Sequence, residues 1–426
     1  MGSVVLFLLV FLCLKAEVFA AFTTQGINYW SAPDHTRIVL PLLRESRPEV
    51  VYLSHPSRIV IKFKSPIRGR IKTTTKVKDS LVDRIVVSRR GNRNTVTIFL
   101  KGKFNYRVFT LRKFRNRPFR IVVDVLKPRS LVEKQRKERI MKAAQYKLKR
   151  KYIVVLDPGH GGSDPGAIGN GIYEKKIVLD LARRVARYLK RDPKFGVFLT
   201  RGGDYYVPLR KRVEIAHDYN ADIFVSIHTN SAPVKSLNGI MAFVLSERGA
   251  RSSLARMLEN IENTEEMVKD IKLAKSRRTN KVVLDVAHDF SVVEGERLGR
   301  YILEYTSSLC GFTNRGIRKA SLVVLKNPGI PSILLEVGFL SNKKDAARLK
   351  NPSFREKIAY SIYRGIKAYL ESKKEIIAMG KRIHLVKRGE TLWKIARIYG
   401  VTIEEIRRYN RLKSSMLKPG MKLAIP

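Results

Sequence analysis

Between Phe22 and Leu126 apolar and polar residues alternate in short runs, as in Arg58-Ile59-Val60-Ile61-Lys62-Phe63-Lys64 and Thr95-Val96-Thr97-Ile98-Phe99-Leu100, separated by turn-forming residues. A period of two buries one face of each strand, so residues 22–126 predict a small β-sandwich. Lys127–Lys151 is dense in Lys and Arg, has no Gly and opens on its single Pro. It predicts a basic helical linker and marks a domain boundary. From Tyr152 the pattern changes. Ile153-Val154-Val155-Leu156 is a continuous apolar run ending in Asp157-Pro158-Gly159, and Ile177, Leu181, Val185 and Leu189 recur every four residues within Glu174–Arg191. The first is a buried strand feeding a tight loop, the second a helix face. Further strands are expected at Val197–Thr200, Ile223–Ile227, Ile240–Val244, Val323–Leu325 and Ile333–Glu336, with helices around Leu209–Tyr219, Val293–Ser307 and Pro352–Glu371. Strands separated by helices imply an α/β domain, residues 152–372, with a largely parallel sheet flanked by helices. Residues 382–426 predict a separate βααβ module centred on Leu392, Ile395, Val401, Ile406 and Leu423.

Charge restricts what such a chain can do. The 426 residues carry 85 Lys+Arg against 37 Asp+Glu, a net +48, which calls for a polyanionic neighbour. With 44% apolar and 9% aromatic residues, wholesale disorder is excluded. Val4–Leu14 is an uncharged apolar run too short to span a bilayer, and Val18-Phe19-Ala20 offers a cleavage site before Ala21. Residues 1–20 therefore read as an export signal, with no transmembrane segment expected after its removal. Export makes nucleic acid an improbable partner. Cys13 falls in the signal and Cys310 is left alone, so no internal disulfide is expected. Only three Gln residues are present, a composition that suits high temperature and offers a bland source for part of the charge.

In an open parallel sheet, ligands gather beyond the carboxyl ends of the strands. Three such ends carry chemistry here: Asp157-Pro158-Gly159-His160-Gly161-Gly162, Ser226-Ile227-His228-Thr229-Asn230 and Leu335-Glu336-Val337-Gly338, while Glu174 opens the first helix. His160, His228 and one carboxylate give zinc two imidazoles and an oxygen, leaving a fourth position for water. Glu174, pinned near the glycine-rich loop, suits the ligand, and Glu336, on another strand, suits a general base. Taken singly, a strand-end His is commonly structural and Glu174 could serve only the helix dipole. An acid between Leu335 and Val337 needs a partner or a function. The constellation is more specific than any member.

These motifs, with Asp164-Pro165-Gly166-Ala167 and Phe339-Leu340-Ser341-Asn342, resemble the zinc N-acetylmuramoyl-L-alanine amidases. The resemblance implies hydrolysis of the amide joining the lactyl group of N-acetylmuramic acid to the first L-alanine of the stem peptide of peptidoglycan. It implies one Zn2+ held by His160, Glu174 and His228, with Glu336 catalytic, and a periplasmic, wall-associated enzyme. Residues 382–426 resemble a LysM module through Val386-Lys387-Arg388-Gly389-Glu390-Thr391-Leu392-Trp393 and Lys418-Pro419-Gly420-Met421-Lys422-Leu423. That implies peptidoglycan binding, with glycan contacts at Gly389, Thr391 and Asn410. Residues 22–126 are similar to AMIN domains in Asp34-His35-Thr36-Arg37-Ile38-Val39-Leu40, implying wall targeting. Residues 251–287 resemble the regulatory insertion of cell-division amidases, whose helix covers the zinc cleft until an activator protein displaces it. On this reading Glu262 is the autoinhibitory ligand. Two other functions stay open from sequence: a non-catalytic wall-binding scaffold, and a zinc peptidase acting on stem peptides.

Overall fold

The computed structural model describes residues 26–69, 71–91, 93–113, 118–149, 151–246, 249–250, 252–263, 281–379, 382–412 and 414–425. The export signal at 1–20 and most of the second half of the 251–287 insertion lie outside the described residues.

Residues 26–127 form a sandwich of two antiparallel sheets. One holds Asn28–Ser31, His35–Leu42, Phe119–Leu126 and Tyr106–Leu111 in that spatial order; the other holds Glu49–Ser54, Ser57–Phe63, Arg93–Leu100, Val82–Arg90 and Thr74–Lys76. Alternation works as expected. In Arg93–Leu100 the residues Val96, Ile98 and Leu100 turn inward against Ile59, Ile61 and Ile121, and the alternating Thr95, Thr97 and Phe99 are only half-buried. The basic linker is a helix, Arg129–Leu148, held to the next domain by Arg136 and Arg139 on Asp218 and by Lys147 on Asp222.

The central α/β domain is built on a six-stranded sheet with the order Phe195–Leu199, Tyr152–Pro158, Ile223–Asn230, Ser332–Phe339, Ile240–Leu245 and Asn314–Ala320. The first four strands are parallel, while the last two run parallel to each other and antiparallel to the rest. Helices Glu174–Arg191, Lys281–Cys310 and Pro352–Met379 cover one face through Leu181, Val185, Leu298, Ile302, Ile362 and Ile366. Helices Leu209–Asp218 and Ser253–Glu262 cover the other with Ala216, Ala255 and Leu258. Val323–Leu325, expected as a strand, is a 3-10 turn. The strand instead is Asn314–Ala320, whose charged sequence suits an exposed sheet edge and hides its period.

The last unit is a βααβ module. Strands Arg382–Leu385 and Lys422–Ile425 pair antiparallel, and helices Leu392–Tyr399 and Ile403–Tyr409 pack Leu392, Ile395 and Ile406 onto Leu423. Thr402 and Glu405 form a reciprocal cap at the second helix. Among the described residues no helix is long and apolar enough to cross a membrane.

Candidate active site

The parallel strands bring His160, His228 and Glu336 to one edge because all three end there. His228 and Glu336 face each other across the ladder between Ile223–Asn230 and Ser332–Phe339, and the register shifts just after His228. Such a bulge re-aims side chains where the pairing breaks. His160 follows the end of Tyr152–Pro158 in a left-handed backbone conformation, φ 56°, on a loop that only glycines can complete. A Cβ at Gly159 would lie 2.3 Å from the His228 ring, and one at Gly166 would lie 2.5 Å from Glu174 Oε2. These glycines therefore provide room for the functional groups.

Glu174, the first residue of its helix, points its carboxylate into this space. Its Oε1 lies 3.1 Å from both His160 Nε2 and His228 Nδ1 and accepts the Thr229 N–H at 3.0 Å, while Oε2 accepts the Ala167 N–H at 2.7 Å. Asp164 contacts the other His160 nitrogen, Nδ1, at 2.7 Å, which fixes the ring so that Nε2 faces the cluster. Glu262, the last residue of helix Ser253–Glu262, brings Oε2 to 3.5 Å from His160 Nε2 and 3.3 Å from His228 Nδ1. One donor atom each from His160, His228 and Glu262 lies within 4.8 Å of the others.

Burial sets the electrostatics. His160, His228, Asp164, Glu174 and Glu336 are buried, and the Glu262 side chain is only 10% exposed. Burial opposes ionisation of Glu174, yet His160 and His228 outweigh it and hold its carboxyl far below the ordinary range. Burial likewise disfavours charge on His160, but Asp164, Glu174 and Glu262 together raise its imidazole well above the usual value. Glu336 is pushed well up by burial and then by the charges of Glu174 and Glu262. Burial raises Glu262 as well.

This donor set fits a divalent metal. His160 Nε2 and Glu336 Oε2 are buried side-chain atoms with no hydrogen-bond partner among the described residues, and Nε2 is aimed at the two carboxylates. Two imidazoles and a carboxylate are what a tetrahedral catalytic ion takes, and buried polar atoms ordinarily have partners.

Two arginines that the motifs did not single out hold this loop in place. Arg212 pairs with Asp157 at 2.7 Å and donates to the carbonyls of Pro158 and His160, and Asp157 also accepts from Ser226 and Thr200. Arg201 donates to the carbonyls of Pro158, Gly159, Gly203 and Lys175. Burial and the neighbouring Arg212 lower its guanidinium to about 10. Nothing in the local sequence distinguishes these two arginines from the other basic residues of the chain, because their role is set by carbonyls from distant segments.

The insertion helix is anchored on both sides of Glu262. Glu259 accepts from Ser321 N at 3.0 Å, and Asn263 bridges Ser321 O and Val323 N. What remains of the cleft is a cavity of about 20 Å³, lined by His160, Tyr206, Arg212, His228 and Glu262 among others. That is room for about one water molecule.

In the C-terminal module Gly389 adopts φ 81°, Thr391 caps the first helix through Lys394 N, and the Asn410 amide ties Ile406 O to both backbone groups of Ala424. Each of the three residues thus has a role inside the module. Trp393 is not in its core; it is 60% exposed, with Arg397 over its ring.

Known families match all three domains of the chain. The model of the family described as N-acetylmuramoyl-L-alanine amidase matches residues 154–368, an AMIN domain model matches 26–127 and a LysM domain model matches 384–426. The chain is 39% identical over 221 residues to N-acetylmuramoyl-L-alanine amidase AmiA of Escherichia coli K12, covering 51% of this chain and 76% of that protein. It is 28% identical over 381 residues to N-acetylmuramoyl-L-alanine amidase AmiC of Escherichia coli O6:H1, covering 83% of this chain and 91% of that protein. To AmiC of Neisseria meningitidis serogroup B it is 29% identical over 379 residues, covering 82% and 90%.

Proposed function

The chain belongs to the N-acetylmuramoyl-L-alanine amidase family, and from that premise we propose how its residues divide the work. It hydrolyses the amide between the lactyl group of N-acetylmuramic acid and L-alanine of the stem peptide in peptidoglycan. The enzyme is metal-dependent, and we assign the metal as a single Zn2+ held by His160 Nε2, His228 Nδ1 and Glu174. When bound, zinc supplies a Lewis acid that polarises the amide carbonyl and lowers the pKa of water. The observation that carries the assignment is the 3.1 Å approach of Glu174 Oε1 to both imidazole nitrogens.

Glu336 is the proton carrier. It stands opposite His228 on the neighbouring strand, near enough to Glu174 and His160 to feel their charges, with one oxygen that has no hydrogen-bond partner among the described residues. It takes a proton from the attacking water and returns it to the departing L-alanine nitrogen, which must leave as an amine. Asp164 holds the His160 tautomer, and Arg201 and Arg212 fix the carbonyls of the loop that presents it. In the resting enzyme Glu262 fills the donor cluster from the insertion helix, and an activator protein that withdraws this helix opens the cleft. Residues 1–20 direct export to the periplasm, where the flanking AMIN and LysM domains hold the enzyme on peptidoglycan.

Metal analysis tests the assignment. The purified chain should contain about one zinc ion, lose activity on sacculi after chelation and regain it with Zn2+; full activity in a metal-free preparation would refute it.

A further inference from the structure

Two strands of the sandwich are covered on both faces. His35–Leu42 and Phe119–Leu126 expose no residue, whereas Arg93–Leu100 of the other sheet alternates buried with half-buried positions. Ile38, Leu40, Ile121 and Val123 point into the sandwich core. Val39, Leu111 and Val122 are buried on the opposite, outward face, with Trp30 and Phe109 packed against them. An apolar sheet face of this kind needs a second covering layer.

That layer is the α/β domain, at the part that carries the metal ligands. A Cβ at Gly162 would come 3.2 Å from Trp30 Cγ and 2.8 Å from Tyr206 N, and one at Gly161 would come 2.3 Å from Tyr205 O. The two residues after His160 therefore sit against the sandwich indole and the Tyr205–Tyr206 backbone with no room for a side chain. Lys175, next to Glu174, lies 5.5 Å from the Trp30 ring and donates to Gly162 O at 2.8 Å. Arg37, gripped by both oxygens of Asp124, lays its guanidinium 4.9 Å from the Tyr206 ring. Tyr206 in turn lines the catalytic cavity with His160, His228 and Glu262. Each of these groups is already engaged, the indole by its lysine and the arginine by its carboxylate. The contact is a closed joint between domains, and its load falls on the His160 loop.

We propose that the sandwich is a positioning element for the metal site, in which Trp30 acts through Gly162 on the His160 loop and Arg37 acts through Tyr206 on the cavity wall. This inference rests on the amidase reading of that site. Without the indole the loop gains room beside Gly162, and His160 Nε2 is held less firmly toward Glu174 and His228.

Zinc affinity of the full-length protein, measured by chelator competition, reads this positioning. Support behind a metal ligand is typically worth about 10–100-fold, so Trp30→Ala should weaken zinc binding by roughly ten-fold. It should also lower kcat on soluble uncross-linked glycan-peptide strands while KM stays near the parent value. Trp30→Phe keeps a ring against Gly162 and should restore most of both. Arg37→Lys keeps the charge beside Asp124 but loses the planar face on Tyr206. It should show the same split between kcat and KM, and it supplies the test if Trp30→Ala does not fold. Ile59→Val trims the sandwich core on the sheet opposite Trp30 and should leave zinc affinity unchanged. Parental zinc affinity and kcat in Trp30→Ala and Arg37→Lys, a change confined to KM, or an equal loss of affinity in Ile59→Val would overturn the proposal. A parent protein that binds zinc but releases no stem peptides would instead strike at the amidase reading, with the affinity series still deciding this one.

Discussion

Glu262 Oε2 stands 3.3 Å from His228 Nδ1, the same nitrogen that Glu174 approaches at 3.1 Å from the other carboxylate. A residue of the insertion helix thus enters the donor cluster itself. A charge-assisted contact of this kind contributes about 1.5–3 kcal/mol, so its removal opens the cleft by roughly ten-fold or more. Glu262→Ala should raise basal hydrolysis of purified sacculi by that order. Deleting residues 256–275 is a poorer probe because Leu258 lies in the core. A Glu262→Ala enzyme that binds metal normally but is no faster than its parent would contradict the autoinhibitory role.

Glu336→Gln keeps size and burial while removing the carboxylate proposed to carry the proton. Turnover should fall by about 10²–10⁴-fold with zinc retained, whereas His160→Ala or Glu174→Gln should lose the ion. Metal content measured beside activity separates the two roles. Loss of zinc from Glu336→Gln would mean that ligand and base have been exchanged.

Gly159→Ala tests the packing of the site without touching a functional group. Its new methyl would meet the His228 ring at 2.3 Å, so the imidazole must move. Zinc affinity should drop by about ten-fold or more with secondary structure unchanged by circular dichroism. Unaltered affinity would show that the ring has slack.

The Asp157–Arg212 pair supports the loop from below. Burial opposes the charge on Asp157, but Arg212, Thr200 and Ser226 overcome it and lower the folded-state pKa. Its stabilisation is therefore complete above the unfolded value, about 3.9, and is lost as pH falls through the lower folded value. Asp157→Asn leaves Arg212 buried without its charge partner, at a cost of about 3–5 kcal/mol near neutral pH. Denaturant titrations should show that loss at pH 7 and a shallower acid decline in the variant. Equal stabilities at pH 7 would contradict the account.

The three-domain layout and the four central residues could be read from sequence because each depends on local signals. Strand ends mark where His160, His228 and Glu336 must lie, and a change of hydrophobic period separates the sandwich from the α/β domain. What escaped depends on distant partners. Asn314–Ala320 disguises its period with Arg315, Arg318 and Lys319 at the sheet edge, and Val323–Leu325 mimics a strand in three apolar residues. Arg201 and Arg212 look like any other basic residues among 85 until the fold brings carbonyls from separate segments to their guanidinium groups. The place of Trp30 over Gly162 is an interdomain fact that no periodicity encodes.

The net charge of +48 now has a more specific setting. Residues 382–426 alone hold 11 Lys+Arg against 3 Asp+Glu. Retention on sacculi should fall as salt rises from about 0.05 to 0.5 M, as screening shortens the reach of exposed charges. Retention indifferent to salt would assign the excess charge to composition alone.

Fragment analysis of digested sacculi tests the central claim most directly. Mass spectrometry after incubation with the signal-free protein should find intact stem peptides with a free L-alanine amino group and glycan strands bearing free lactyl carboxylates, and neither product in the presence of chelator. Stems cut internally, still attached to muramic acid, would contradict the amidase account.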